Sequence, residues 1–242
     1  MNTVVIGPTQ SGKTYLTKRL LHLMSKEEEK QILIFDQQLS YAVAEDGGFE
    51  NIEIYDTNVI TRENIPRLSI VKIMQKALSN RDHVLINVAS LSVSEIRVLF
   101  DLWAPRINRD FQNLIVVFEE AFKLVPRYGA SKELQNLVRN SAKKGIDMVF
   151  VYQSVVDTDI QLRRQSHFAF LFKPTRNEDM EVMRRSFNMP DTVDFKNLRL
   201  HECIAGSLFN NQFGIVRSDQ IRDLTVDEIQ SVYERVPEIY KV

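Results

Sequence analysis

The residues of this chain best suited to chemistry stand together near its start, in Gly7-Pro8-Thr9-Gln10-Ser11-Gly12-Lys13-Thr14, between the apolar run Thr3-Val4-Val5-Ile6 and Tyr15-Leu16-Thr17-Lys18-Arg19-Leu20. They have the G-x-x-x-x-G-K-[ST] form of a phosphate-binding loop. Its chemistry explains its spacing: glycines let the backbone curl so that successive N–H groups face phosphate oxygens, a lysine reaches the β- and γ-phosphates, and a hydroxyl ligates Mg²⁺. Gly7, Gly12, Lys13 and Thr14 fill those roles. Pro8 has no N–H, so the cradle comes from the amides of Thr9, Gln10, Ser11 and the residues up to Tyr15, which also open a helix whose positive dipole end favours an anion.

A bound triphosphate is hydrolysed only if a metal ligand and a water-polarising base lie near its last phosphate. Glu119-Glu120 supplies two carboxylates at the tip of the apolar run Leu114-Ile115-Val116-Val117-Phe118. The bland alternative makes one of them the N-terminal acid of the next helix. Gln153, ending Met148-Val149-Phe150-Val151-Tyr152, is placed to hydrogen-bond the γ-phosphate or its water.

Positioning these groups requires a regular frame. Thr3–Ile6, Gln31–Phe35 with Asp36 at its tip, Ile52–Tyr55, His83–Val88, Leu114–Phe118 and Met148–Tyr152 are strand-like, and helical spacing alternates with them. The helical stretches are Leu16 to Met24, Ile70 to Leu78, one opened by the capping box Ser92-Val93-Ser94-Glu95, and Leu134 to Ala142. That alternation predicts an α/β fold with a mostly parallel central sheet and helices on both faces. Farther on, Phe168–Phe172 reads as a strand, Asn177 to Phe187 as a helix, and Glu202–Gly206 with Phe213–Val216 as a hairpin around Asn210-Asn211-Gln212; Thr225-Val226-Asp227-Glu228 predicts a closing helix. No linker or repeat divides the chain, which reads as one domain over 1–242, a core of 1–155 and an extension of 156–242.

The chain is 242 residues long and nearly balanced, with 31 Lys+Arg against 32 Asp+Glu, so no global basic field points to nucleic acid and any DNA contact is local. Lys72, Lys76, Arg81, Arg106, Arg109, Arg184 and Arg185 are candidates without a motif. The single cysteine, Cys203, fits a reducing compartment and a place in the core rather than a metal site with His201. No apolar run is long enough to span a membrane, and the expectation is a soluble cytosolic protein.

The loop, the strand ending in Asp36, the Glu119-Glu120 strand and Lys143-Lys144-Gly145-Ile146-Asp147 leading into Met148–Gln153 together resemble the HerA/FtsK superfamily of DNA-translocating ATPases. So do Gln161 to Phe168, Arg176-Asn177-Glu178-Asp179 and Leu200-His201-Glu202-Cys203-Ile204-Ala205-Gly206, in their order and character. The resemblance covers nearly the whole chain, and its bare core is most similar to the genome-packaging ATPases of tailless, membrane-containing double-stranded DNA viruses.

The resemblance implies a RecA-like (ASCE) P-loop NTPase that binds ATP and Mg²⁺, forms a homo-hexameric ring and draws double-stranded DNA through its centre. It implies Glu119 as a Mg²⁺ support beside Thr14, Glu120 as the base, and an arginine finger offered to the neighbour's nucleotide. It also implies work in the host cytoplasm or at a virion packaging vertex, with capsid or vertex proteins as partners. Two departures stand out. The family usually carries Asp where this chain has the longer Glu119, and an arginine where it has Lys143, which lacks the bidentate fork of a guanidinium. Arg139, one turn earlier, is the alternative finger, and Arg163 and Arg164 are further ones. A plasmid or conjugation-type DNA pump and, from other classes, a small-molecule or nucleotide kinase and a nucleotide-binding scaffold that never hydrolyses are the rival functions.

Overall fold

The computed structural model describes residues 1–28, 30–42, 49, 51–55, 63–80, 82–125, 131–208 and 210–217. The expected closing helix at Thr225 and the candidate Arg81 lie outside the described residues. The chain runs β1 (Asn2–Ile6), α1 (Lys13–Glu28), β2 (Gln31–Asp36), β3 (Ile52–Tyr55), α2 (Ile70–Asn80), β4 (His83–Asn87), α3 (Val93–Asp110) and β5 (Leu114–Phe118). It continues through α4 (Ala121–Leu124), α5 (Lys132–Asn140), β6 (Asp147–Tyr152), α6 (Ile160–Gln165), β7 (Phe168–Phe172), α7 (Asn177–Ser186), β8 (Glu202–Ser207) and β9 (Gln212–Arg217).

One sheet holds nine strands in the order β3-β4-β2-β5-β6-β1-β7-β8-β9. The seven from β3 to β7 pair in parallel, and β8 and β9 add an antiparallel hairpin. Parallel strands need both faces covered, which is why these runs are apolar throughout rather than alternating. Val4 and Ile6, Val116 and Phe118, Phe150 and Tyr152 point to one layer, where α2 to α7 pack. Val5, Val117, Val149 and Val151 point to the other, under α1, Tyr41 and Phe49. Across the first layer Phe35, Phe118 and Phe150 stack from strand to strand, with centroids 5.4 and 4.9 Å apart.

Several local predictions are met by their physical causes. The capping box forms, Ser92 Oγ accepting from the Glu95 amide and Glu95 Oε2 accepting from Ser92 N. Helix α5, expected from Leu134, starts earlier because Ser131 Oγ caps it, accepting from Leu134 N at 3.1 Å, and its end tightens into a 3₁₀ turn at Ser141–Lys144 closed by Gly145 at φ 66°. The hairpin turns through Asn211 at φ 53°, a left-handed position that asparagine tolerates. Cys203 is buried in the second layer, and that burial pushes its thiol up.

Candidate functional site

In this strand order β6 separates β1 from β5, so the C-terminal ends of three adjacent strands face one another: Gly7 after β1, Gln153 after β6 and Glu119-Glu120 after β5. Such ends are where open parallel sheets place ligands. The ladder persists into the loops, Gly7 N donating to the Tyr152 carbonyl at 3.1 Å and Glu119 N to the Phe35 carbonyl at 2.9 Å.

The loop backbone turns through two left-handed residues, Gly12 at φ 102° and Gln10 at φ 64°. The first needs a glycine; the second shows a non-glycine carrying part of the curl at some cost. Gly7 serves another purpose: a Cβ there would lie 2.5 Å from Phe172 Cβ and 2.8 Å from Ser11 Oγ. Thr9 and Gln10 are exposed, whereas Ser11 and Lys13 are buried, and Ser11 Oγ has no hydrogen-bond partner. Lys13 Nζ donates to the Pro8 carbonyl at 2.7 Å. Burial lowers the Lys13 pKa, and the carboxylates of Glu119 and Glu120 oppose that shift. Tyr15 is half-buried in the first turn of α1.

Glu119 is buried and grips two hydroxyls. Thr14 Oγ1 donates to its Oε1 at 3.0 Å and Tyr41 OH to its Oε2 at 2.7 Å. Burial pushes the Glu119 carboxyl up to about 7, against the pull of those hydrogen bonds and of Lys13. Tyr41 itself is raised well above its ordinary value, first by burial and then by Glu119. Asp36, at the C-terminal tip of β2 as expected, is fully buried and accepts from the Gln38 and Ser40 amides at 2.9 and 2.6 Å. Its work is to fold the turn that carries Tyr41. Burial raises the Asp36 pKa although those amides favour its charge.

Glu120 takes the left-handed conformation, φ 52° and ψ 46°, which turns its side chain away from the strand direction. Gln153 Nε2 donates to both of its oxygens, at 2.7 and 2.9 Å. The expected strand-end amide therefore holds the expected base.

Lys143 and Arg139 are not brought to this cluster. They are exposed in the segment before β6, at the N-terminal end of the strands, with the length of β6, about 20 Å, between them and Gln153. Neither reaches the loop of its own chain.

The donor set fits magnesium and a phosphate chain. One carboxylate and one hydroxyl oxygen, 3.0 Å apart at the start of α1, are hard ligands of the number Mg²⁺ takes from protein when it keeps water and phosphate oxygens. The buried, unpartnered Ser11 Oγ faces the same loop.

Two neighbours escaped sequence reasoning. Tyr41 has no motif, and the only signal was its place five residues beyond a strand-end aspartate. His201 belongs to a stretch that carries the family resemblance and has no site role in the sequence, yet its Nδ1 lies 3.2 Å from the Ser11 carbonyl.

A parallel sheet with the phosphate loop and the acidic strand parted by one inserted strand defines a P-loop ATPase of the ASCE, RecA-like type. More particularly, residues 2–190 match the family model of the helicase HerA central domain, and the chain belongs to that family, within the HerA/FtsK type of ATPases. No curated protein sequence matches it. Among solved structures it is similar to the genome packaging NTPase B204 of Sulfolobus turreted icosahedral virus 2 in complex with ATP-gammaS: 12% identity, 89% of this chain, 96% of that one, TM-score 0.62. It is similar also to VirB4 of Thermoanaerobacter pseudethanolicus, at 12% identity, 89% and 88% coverage and TM-score 0.60. Against EssC (ATPases 2 and 3) of Geobacillus thermodenitrificans the identity is 12%, the coverage 99% and 44%, and the TM-score 0.53. The fold is shared at these identities. No helix among the described residues is long and apolar enough to cross a membrane.

Proposed function

We propose that this chain is a motor that couples ATP hydrolysis to movement of double-stranded DNA, in the manner of a viral genome-packaging ATPase, and that residues 1–242 act as one motor domain. The observation that carries the hydrolytic part is the paired arrangement of the two glutamates: Glu119 on Thr14, and Glu120 in a left-handed turn with both oxygens on Gln153. The first faces the loop where a metal would sit, and the second is half-buried beside it. Membership of the HerA family and likeness to a structure named as a genome packaging NTPase support the DNA-directed part. The single-domain reading is supported by β7, β8 and β9, which extend the same sheet beside β1.

In this reading Thr14 and Glu119 hold Mg²⁺, which when bound neutralises charge on the β- and γ-phosphates. The amides from Gln10 to Tyr15 take the phosphate oxygens, and Lys13 exchanges the Pro8 carbonyl for the terminal phosphate. Glu120 accepts a proton from the attacking water. Gln153 keeps Glu120 in place until the water and γ-phosphate compete for its amide.

The position of Lys143 and Arg139 at the N-terminal end of the strands suits a cation offered to the next subunit, so the reading includes a homo-hexameric ring with nucleotide between neighbours. Its setting is the host cytoplasm or a packaging vertex, where capsid or vertex proteins receive it. Repeated six times, modest basicity suffices to track phosphates without reading bases.

The deciding experiment measures ATPase rate with and without duplex DNA beside the oligomer mass. Stimulation by duplex and a ring-sized mass are expected. A monomer indifferent to DNA and stimulated by a small phosphate acceptor would instead establish a kinase.

A further inference from the structure

The phosphate loop is gripped from outside by the strands added after β6. Phe172, the last residue of β7, lies against Gly7 and Gly12, and the imidazole of His201, one residue before β8, lies against Gly12 as well. A Cβ on Gly12 would stand 3.1 Å from His201 Nδ1 and 3.6 Å from the Phe172 ring, so the missing side chain of Gly12 is the seat of the imidazole.

His201 Nδ1 lies 3.2 Å from the Ser11 carbonyl oxygen. A carbonyl can only accept, so the ring donates and carries its proton on Nδ1. That carbonyl belongs to the Ser11–Gly12 peptide, whose N–H is the Gly12 amide. In a trans peptide C=O and N–H point in opposite directions. Holding the Ser11 oxygen outward therefore aims the Gly12 N–H inward, toward the face where a phosphate would lie. The arrangement carries a cost: His201 has φ 67°, a left-handed conformation uncommon outside glycine, although histidine adopts it more readily than most side chains. The turn around it is tied at both ends, Glu202 Oε2 accepting from Arg199 N at 2.8 Å and Glu202 N donating to the Arg199 carbonyl at 3.1 Å.

We propose that His201 is a positioning residue for the phosphate loop: by clamping the Ser11 carbonyl it presets the Gly12 amide for phosphate, and it links nucleotide affinity to the β7–β9 part of the sheet. This deepens the function proposed above and rests on its nucleotide site.

Three substitutions separate the hydrogen bond from the backbone strain. His201→Asn keeps a donor near the place of Nδ1 and tolerates positive φ. His201→Gly tolerates positive φ without a donor, and His201→Ala has neither. Binding of ATPγS is measured by titration, and the chain's eight glycines, labelled selectively with ¹⁵N, give the Gly12 amide resonance in the nucleotide-free protein.

Affinity is expected to fall about three- to ten-fold in His201→Gly and His201→Ala, the range for one lost hydrogen bond, and to stay within about two-fold in His201→Asn. The Gly12 resonance should move or broaden in the first two and keep its place in the third. Equal affinity in all four proteins, or a loss in His201→Asn as large as in His201→Gly, overturns the proposal. If the unsubstituted protein binds no ATPγS, the nucleotide-site reading fails, and an unchanged Gly12 resonance in all three variants then refutes the clamp by itself.

Discussion

Replacing Glu119 by Gln should make the protein more stable and less active, with a gain that depends on pH in a set direction. The carboxyl lies between Thr14 Oγ1 and Tyr41 OH, out of water, and its pKa is pushed from the ordinary 4.5 up to about 7. The folded chain thus binds a proton there across a range where the unfolded chain has released it. Stability from this group is full below about pH 4.5 and is lost as pH rises through about 7. Once Glu119 is ionised, the folded state has given up about 3 kcal/mol.

An amide carries no charge and keeps both contacts: Tyr41 OH donates to its oxygen, and its Nε2–H donates to Thr14 Oγ1. Glu119→Gln should therefore exceed the parent by about 3 kcal/mol near pH 8, roughly 6–12 °C in Tm for a chain of this size, and by less than about 1 kcal/mol near pH 5. Thermal and urea unfolding in EDTA at both pH values measure this. The same variant should lose its Mg²⁺-dependent turnover. Equal stability near pH 8, or a gain of the same size at both pH values, would refute the argument that an ionised Glu119 is a burden on the folded chain.

Glu120→Gln should leave ATP affinity within a few-fold and lower kcat about 10²- to 10⁴-fold, the usual worth of a general base; single-turnover kinetics separate the two quantities. The buried pair of Lys30 Nζ and Asp147 Oδ2, 2.7 Å apart at the base of β2 and β6, should make Asp147→Asn cost about 3–5 kcal/mol in urea, and Lys30→Met less, because the Met1 ammonium still faces Asp147. Replacing both together should recover much of that loss, because no charge is then left buried alone. If the proposed ring forms with a cation acting between neighbours, mixtures of Lys143→Ala and Glu120→Gln protein should regain part of the ATPase rate; no recovery, with recovery from Arg139→Ala mixtures instead, would move the finger one helical turn back.

The sheet was legible because a parallel strand covered on both faces has to be apolar throughout, and runs such as Leu114–Phe118 and Met148–Tyr152 announce themselves. The loop was legible because phosphate imposes a backbone shape that few residue types allow. Tyr41 was not, since it owes its position to the Asp36 carboxylate capping the turn before it, a bond between residues with no shared pattern. The contact of His201 with Ser11 joins residues 190 apart in sequence and depends on β7 and β8 lying beyond β1, an order the strand runs do not encode. The left-handed turns at Gln10 and Glu120 were hidden for a related reason: local preference argues against them, and tertiary packing overrides it.

The stacked rings of Phe35, Phe118 and Phe150 have an evolutionary corollary. Phe35 immediately precedes Asp36, Phe118 immediately precedes Glu119, and Phe150 stands three residues before Gln153. A smaller side chain at any one would open a gap under the other two and tilt a strand end carrying a functional group. Lineages that keep the activity should therefore alter these three positions in concert, and a library randomised at all three should yield active members that are matched in combined volume, whichever residues they contain.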